Sequence, residues 1–135
     1  MSTTSGKTDG FSPADLQGDF FDHSEDQIGA AGALLDRLER GAGDATSALA
    51  EFRRIAHSLK GRGTMFEMPS VSAVAARLED YMAGLALAAA ADVAGIRRHF
   101  DLLDAIVDAR RDLAEPELSR RLAALPTRRA GAVKG

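Results

Sequence analysis

Between residues 49 and 66, apolar side chains recur at alternating spacings of three and four: Leu49, Phe52, Ala56, Leu59, Gly63 and Phe66. At about 100° per residue these positions make one stripe, which commits the segment to a long amphipathic helix with a single buried face. The stripe also decides what is left outside. His57 lies about 140° around the helix from Phe52 and about 160° from Leu59, so its ring points toward solvent. Lys60 and Gly61 follow it at i+3 and i+4 and share its face.

Gly61 and Gly63 sit near the C-terminal end of this helix, where each costs roughly 1 kcal/mol relative to Ala. Gly63 falls on the apolar face, so close packing against a neighbouring helix accounts for it. Gly61 falls on the exposed face, where packing within the fold gives no reason for it. Close approach of another molecule does. An exposed imidazole, a cation one turn away and a residue with no side chain together predict a docking site centred on His57.

The rest of the chain reads as helices in sequence. Ser12-Pro13 is an N-cap followed by Pro at the first helical position, and Asp15 suits the helix dipole. Leu16, Phe20 and Phe21 give a short first helix an apolar side. A second helix is expected from about Glu25 to Arg40, with Ile28, Ala31, Leu34, Leu35 and Leu38 inside. One bent helix would satisfy the same pattern. Gly41-Ala42-Gly43 is a breaker.

The helix carrying His57 starts near Asp44 or Ala45 and ends between Thr64 and Phe66. Pro69 closes the turn and Ser70 is the expected cap of the next helix, lined by Val71, Val74, Ala75, Leu78, Met82 and Leu85. Gly84 weakens its end. After an Ala-rich stretch, Asp92 is the expected cap of a helix whose inner stripe is Val93, Ile96, Phe100, Leu103 and Val107, with Leu102 and Ile106 beside it. Pro116 is expected to stop that helix. A short helix from Leu118 to Leu125 precedes Pro126 and a basic run containing Arg128-Arg129, which reads as a linker leading elsewhere.

These elements predict an all-α antiparallel bundle of about five helices with a four-helix core. The expected organisation is a disordered start over 1–11, one domain over 12–115, and a short helix and linker over 116–135. The chain has 135 residues, 45% of them apolar, with no Trp. A core of Leu, Ala, Val, Ile and six Phe suits helix-on-helix packing. A net charge of −3 gives no general case for nucleic acid. There is no cysteine for disulfides or thiol chemistry. The N-terminus lacks a signal-peptide pattern, and the longest apolar run, Leu85 to Ala91, falls far short of the roughly 20 residues a membrane span needs. Membrane insertion is not expected, and a cytoplasmic location is.

Helix lengths place one more residue. If the helices on either side of Glu67-Met68 form an antiparallel hairpin, His57 is ten residues before Glu67 and Glu79 eleven after Met68. Arms of similar length put the two at the same height. A carboxylate there could accept the proton of Nδ1 and leave Nε2 as the nucleophile. The plainer reading is an exposed Glu79 paired with Arg77 or with nothing.

His57-Ser58-Leu59-Lys60-Gly61 resembles the HxxKG signature of histidine phosphotransfer (HPt) domains. Arg62 to Met68 is most similar to the P1 phosphotransfer domain of CheA-type chemotaxis kinases, and Arg77-Leu78-Glu79 fits the next helix. Glu67 stands where the family usually has Gly, and Arg62 where it usually has a small residue. The resemblance covers about residues 49–82. It implies that Nε2 of His57 accepts a phosphoryl group from a kinase catalytic domain and passes it to the aspartate of a CheY- or CheB-like response regulator receiver. It also implies no bound cofactor, since ATP belongs to the kinase domain and Mg²⁺ to the regulator, and no autonomous kinase activity.

Lys60 would steady the phosphoryl oxygens by charge, against the plainer reading of a solvated helix lysine. Regulator docking is expected at Arg54, Ser58, Gly61 and Arg62, with Arg53 and Arg54 as a solvated basic edge that steers an acidic partner. His23 and His99 have no motif around them, and no spacing resembles a metal site. The alternative function is a helical docking module for a regulator or kinase in which His57 is never phosphorylated.

Overall fold

The computed structural model describes residues 13–85 and 90–127. Among them are five helices and no strands: α1 (Pro13–Glu39), α2 (Ala45–Met65), α3 (Pro69–Met82), α4 (Ala90–Ala109) and α5 (Glu117–Ala123). The expected disordered start, the Ser12 cap, most of the Ala-rich stretch and Arg128-Arg129 lie outside the described residues. No helix among the described residues is long and apolar enough to cross a membrane.

The two expected N-terminal helices are one. The polar run Asp22-His23-Ser24 does not interrupt α1, because Ser24 turns inward and is fully buried while Asp22 faces Arg110, the residue that follows α4. The helix then stops at Gly41, which adopts φ 76°. Asp44 caps α2: its Oδ1 accepts from the Thr46 amide at 3.0 Å, and its Oδ2 from the Ser47 hydroxyl at 2.7 Å.

The far end of α2 closes in a Schellman turn. The Met68 amide donates to the Gly63 carbonyl at 2.7 Å, and the Glu67 amide to the Thr64 carbonyl at 3.4 Å. Glu67 occupies the left-handed position, φ 61°. Glycine takes that conformation without strain, which explains the usual Gly there.

Three expected helix signals act differently. Ser70 is not the cap of α3 but lies in its first turn, after Pro69, and is fully buried. Its amide and hydroxyl both donate to Asp112 Oδ1, at 2.9 and 2.6 Å, and its oxygen accepts from the Leu113 amide at 3.0 Å. Asp92 lies inside the first turn of α4, not before it. Pro116 does not end α4, which stops at Ala109 where Arg110 turns with φ 56°. The Arg110 guanidinium is held by Asp22 at 2.7 Å and stacks 5.3 Å from the centre of the Phe21 ring.

The first four helices form a ring in which each packs on the next and α4 returns to α1. Every neighbouring pair is antiparallel. Gln17 meets Phe66 and Gln27 meets Ser58 across α1 and α2. Arg97 of α4 meets Asp36 and Glu39 of α1, while Arg110, just past α4, meets Asp22 of α1. The inner stripes expected from sequence fill the core: Phe52, Ala56 and Leu59 of α2, Val71, Val74 and Leu78 of α3, and Ile96, Leu103 and Val107 of α4 are all buried, as are Phe20, Ala31 and Leu35 of α1. α5 docks on this bundle. Leu125, just beyond it, is buried, and carbonyls at its C-terminal end accept from Arg77 (Leu122, 3.4 Å) and Arg98 (Ala124, 3.1 Å).

Candidate functional site

His57 projects from the middle of α2 with 78% of its side chain exposed. Across the groove, Glu79 of α3 reaches it at the height that equal arms of the hairpin require. Glu79 Oε2 lies 3.1 Å from His57 Nδ1, and its other oxygen, Oε1, lies 2.6 Å from Lys60 Nζ. One carboxylate therefore spans an imidazole and an ammonium one helical turn apart.

Two influences compete at Glu79. Partial burial pushes its carboxyl up, while hydrogen bonds and charge from Lys60 and His57 push it down. The second group wins, and the carboxyl is held below its ordinary value. An ionised carboxylate can only accept, so the 3.1 Å contact is a hydrogen bond with the proton on Nδ1. The neutral ring then carries its lone pair on Nε2, across the ring from the bond and on the exposed side.

The other expected site residues divide. Gly61 stands beside His57 with nothing within 4 Å of where a Cβ would be. Arg54 shares that face but its guanidinium is drawn back onto Glu51, at 3.0 and 2.5 Å. Ser58 is half-buried toward α1 and accepts from Gln27 at 3.4 Å. Arg62 is half-buried near the end of α2. Arg53 is exposed, as expected of a basic edge, but its guanidinium is engaged by main chain. It donates to the carbonyl of Met82, the last residue of α3, at 3.1 Å, and to that of Leu85, which lies three residues beyond the helix and not within it as expected, at 2.5 Å. Arg77 is turned away from Glu79 toward α5. Lys60, expected to face phosphoryl oxygens, lies against Glu79.

Two exposed apolar residues were not among those expected at the site. Met65, one turn beyond Gly61, is 73% exposed, and Leu16 of α1 is 40% exposed. They are at the same end of the bundle, because Gln17 next to Leu16 donates to the carbonyl of Phe66 next to Met65, at 3.1 Å. The helical angle could have found Met65: it lies about 180° from Ala56 and about 150° from the middle of the apolar stripe.

The other histidines are elsewhere. His23 is exposed on α1. His99 is buried in α4, with Nδ1 2.8 Å from the Gly95 carbonyl and its ring 5.1 Å from that of Tyr81. Among the described residues no group of three or more His, Asp or Glu is placed to hold a metal ion.

The family model described as the Hpt domain matches residues 15–113, well over half of the chain. No curated protein and no solved structure matches.

Proposed function

Because the chain belongs to the Hpt domain family, whose members carry out histidine phosphotransfer in phosphorelays with kinases and response regulators, we propose that His57 is the residue that carries the phosphoryl group. One observation supports this above the rest: a largely exposed imidazole whose Nδ1 is bonded to an ionised carboxylate. The Nε2 lone pair attacks the γ-phosphorus of ATP held by a kinase catalytic domain. The bond from that phosphorus to the bridging oxygen breaks and ADP leaves. As Nε2 commits its lone pair, positive charge spreads over the ring to Nδ1–H, where the Glu79 carboxylate stabilises it. In the return step an aspartate oxygen of a receiver domain, with Mg²⁺ bound there, attacks phosphorus. The P–N bond breaks and its electron pair goes back to Nε2.

Glu79 is thus a positioning residue, and Lys60 acts first on Glu79, keeping it ionised, before its ammonium is drawn to phosphoryl oxygens. Gly61 lets the receiver come close to the backbone, Met65 and Leu16 give it an apolar foothold, and Arg54, Ser58 and Arg62 form the rim. The run Arg62 to Met68 favours a CheA-type kinase as donor and a CheY- or CheB-like regulator as acceptor, in the cytoplasm.

The test is incubation with a CheA-type kinase domain and ATP. The expected product is acid-labile, base-stable phosphate on His57, lost when a CheY-like receiver and Mg²⁺ are added. Phosphate on His23 or His99 would overturn the assignment. No uptake from a kinase that phosphorylates its own P1 domain would leave the docking-module reading in its place.

A further inference from the structure

The solvent-facing seam between α2 and α3 is a polar ladder with His57 in its middle rung. α2 offers Arg53, His57, Lys60 and Thr64, at spacings of four, three and four. α3 offers Ser72, Glu79 and then the carbonyls at and just beyond its end. In the rung nearest the turn, Ser72 Oγ donates to the Lys60 carbonyl at 2.6 Å and lies 3.0 Å from Thr64 Oγ1. The helices approach closely here. A Cβ on Gly63 would lie 2.5 Å from Ser72 Oγ and 2.8 Å from the Ser72 amide nitrogen. In the rung at the other end, Arg53 holds the carbonyls of Met82 and Leu85.

The middle rung cannot fix its own length. It joins a glutamate to two side chains that are 78% and 42% exposed, and exposed pairs of this kind contribute little on their own. A slip of α3 along α2 by a single residue rise, about 1.5 Å, would stretch and misalign the 3.1 Å contact between Nδ1 and Oε2. What resists that slip must flank it. Ser72 is seven residues before Glu79 and grips the main chain of Lys60. Arg53 is four residues before His57 and grips the main chain at the end of α3. The two bracket the rung and act on backbone, not on mobile side-chain ends.

We infer that Ser72 and Arg53 are positioning residues for the phosphorylated histidine, which set the register of α3 on α2 and through it the contact between His57 Nδ1 and Glu79. The inference rests on the reading that His57 accepts the phosphoryl group.

The experiment is a set of double-mutant cycles on the whole chain. Ser72→Ala and Arg53→Gln are made in wild type and in Glu79→Gln, with Arg97→Gln as control. Arg97 makes three hydrogen bonds between α4 and α1, at 2.7 to 3.0 Å, away from the seam. Two quantities are read: the rate of phosphorylation by a CheA-type kinase, and the share of Nδ1–H tautomer of His57 by ¹⁵N NMR. Each seam variant is expected to slow phosphorylation by roughly three- to tenfold and to lower the Nδ1–H share. Neither should slow Glu79→Gln further, since the contact they serve is already weakened. Arg97→Gln should leave both readings unchanged.

Wild-type rate and tautomer in the seam variants would overturn the inference. So would losses of equal size in the Glu79→Gln background or in Arg97→Gln, which would mark a general effect on stability. Arg53 is exposed, so Arg53→Gln keeps the test decisive if Ser72→Ala fails to fold. If wild type takes up no phosphoryl group on His57, the functional reading falls, and the tautomer alone then judges the register.

Discussion

His57 and His99 both have Nδ1 in a hydrogen bond, at 3.1 and 2.8 Å, yet they belong to opposite kinds of site. His99 bonds a carbonyl of its own helix, four residues back, and is 1% exposed beneath Tyr81. Burial pushes its pKa down. The Gly95 carbonyl opposes this, and the charges of Arg77 and Arg98 add to it. A neutral carbonyl does little to offset the cost of burying an imidazolium, so His99 serves as a neutral core ring. His57 bonds an ionised carboxylate on another helix and keeps its far side in water. Having a partner does not distinguish the two. What does is whether that partner is charged and whether Nε2 can be reached.

The widest gap between the two regions should appear on removing each ring. His57→Gln is expected to abolish phosphoryl uptake completely and to shift stability by no more than about 0.5 kcal/mol, the usual range for an exposed position. Residual phosphate on this variant would show that exposure and a charged partner do not identify the acceptor. His99→Ala is expected to do the reverse. It leaves a void beside Tyr81 and should cost roughly 2–4 kcal/mol in denaturant unfolding, while phosphorylation of the folded fraction keeps its rate. A large loss of rate there would mean that the core ring supports the site after all.

Much of the exposed region could be read in the sequence, because its determinants are local or periodic. The apolar stripe of α2 set the outward placement of His57, and the equal arms around Glu67-Met68 set the height of Glu79. Gly63 lies on the same stripe, and the atoms that crowd it belong to Ser72 and Met68. What could not be read depends on partners distant in sequence. Ser70 looks like an ordinary cap until Asp112 arrives from 42 residues away. Arg53 looks solvated until the end of α3 folds beside it. The single long α1 was obscured because Ser24 has a polar composition and a buried position, and only the tertiary fold decides between them. His99 carried no motif because a buried ring bonded to its own helix needs none.

The glycines beside the two histidines sharpen the same contrast. A Cβ on Gly95 would collide with the hydroxyl and ring of Tyr81, so packing explains that glycine completely. Gly61 has open space around it. Gly61→Gln should therefore hold or raise stability, by up to about 1 kcal/mol, since Gln is the better helix former. Uptake from the kinase should be little changed, and transfer to the receiver should slow on the order of tenfold because the approaching backbone meets a side chain. Stopped-flow transfer kinetics beside thermal unfolding measure both. Unchanged transfer would remove Gly61 from the docking surface.

The smallest effect expected is in the pH dependence of stability, and it belongs to His99. Its folded pKa is lowered from the ordinary 6.5 by burial. Between the folded and unfolded values the unfolded chain binds more protons than the native one, so stability rises with pH across that interval. The contribution is complete above about pH 6.5 and is lost as pH falls below it, at no more than about 1.4 kcal/mol per pH unit for a single proton. Glu79 has the same sign, being lowered from 4.5, but its loss begins only as pH approaches that value. The interval between the two ordinary values therefore isolates the histidine. Unfolding free energies from pH 8 to pH 5 should show a decline in wild type that is smaller in His99→Gln, with the two curves separating below about pH 6.5. Parallel curves would mean that His99 titrates alike in the folded and unfolded chain, and that the contrast between a core ring and a reactive one rests on access to Nε2 alone.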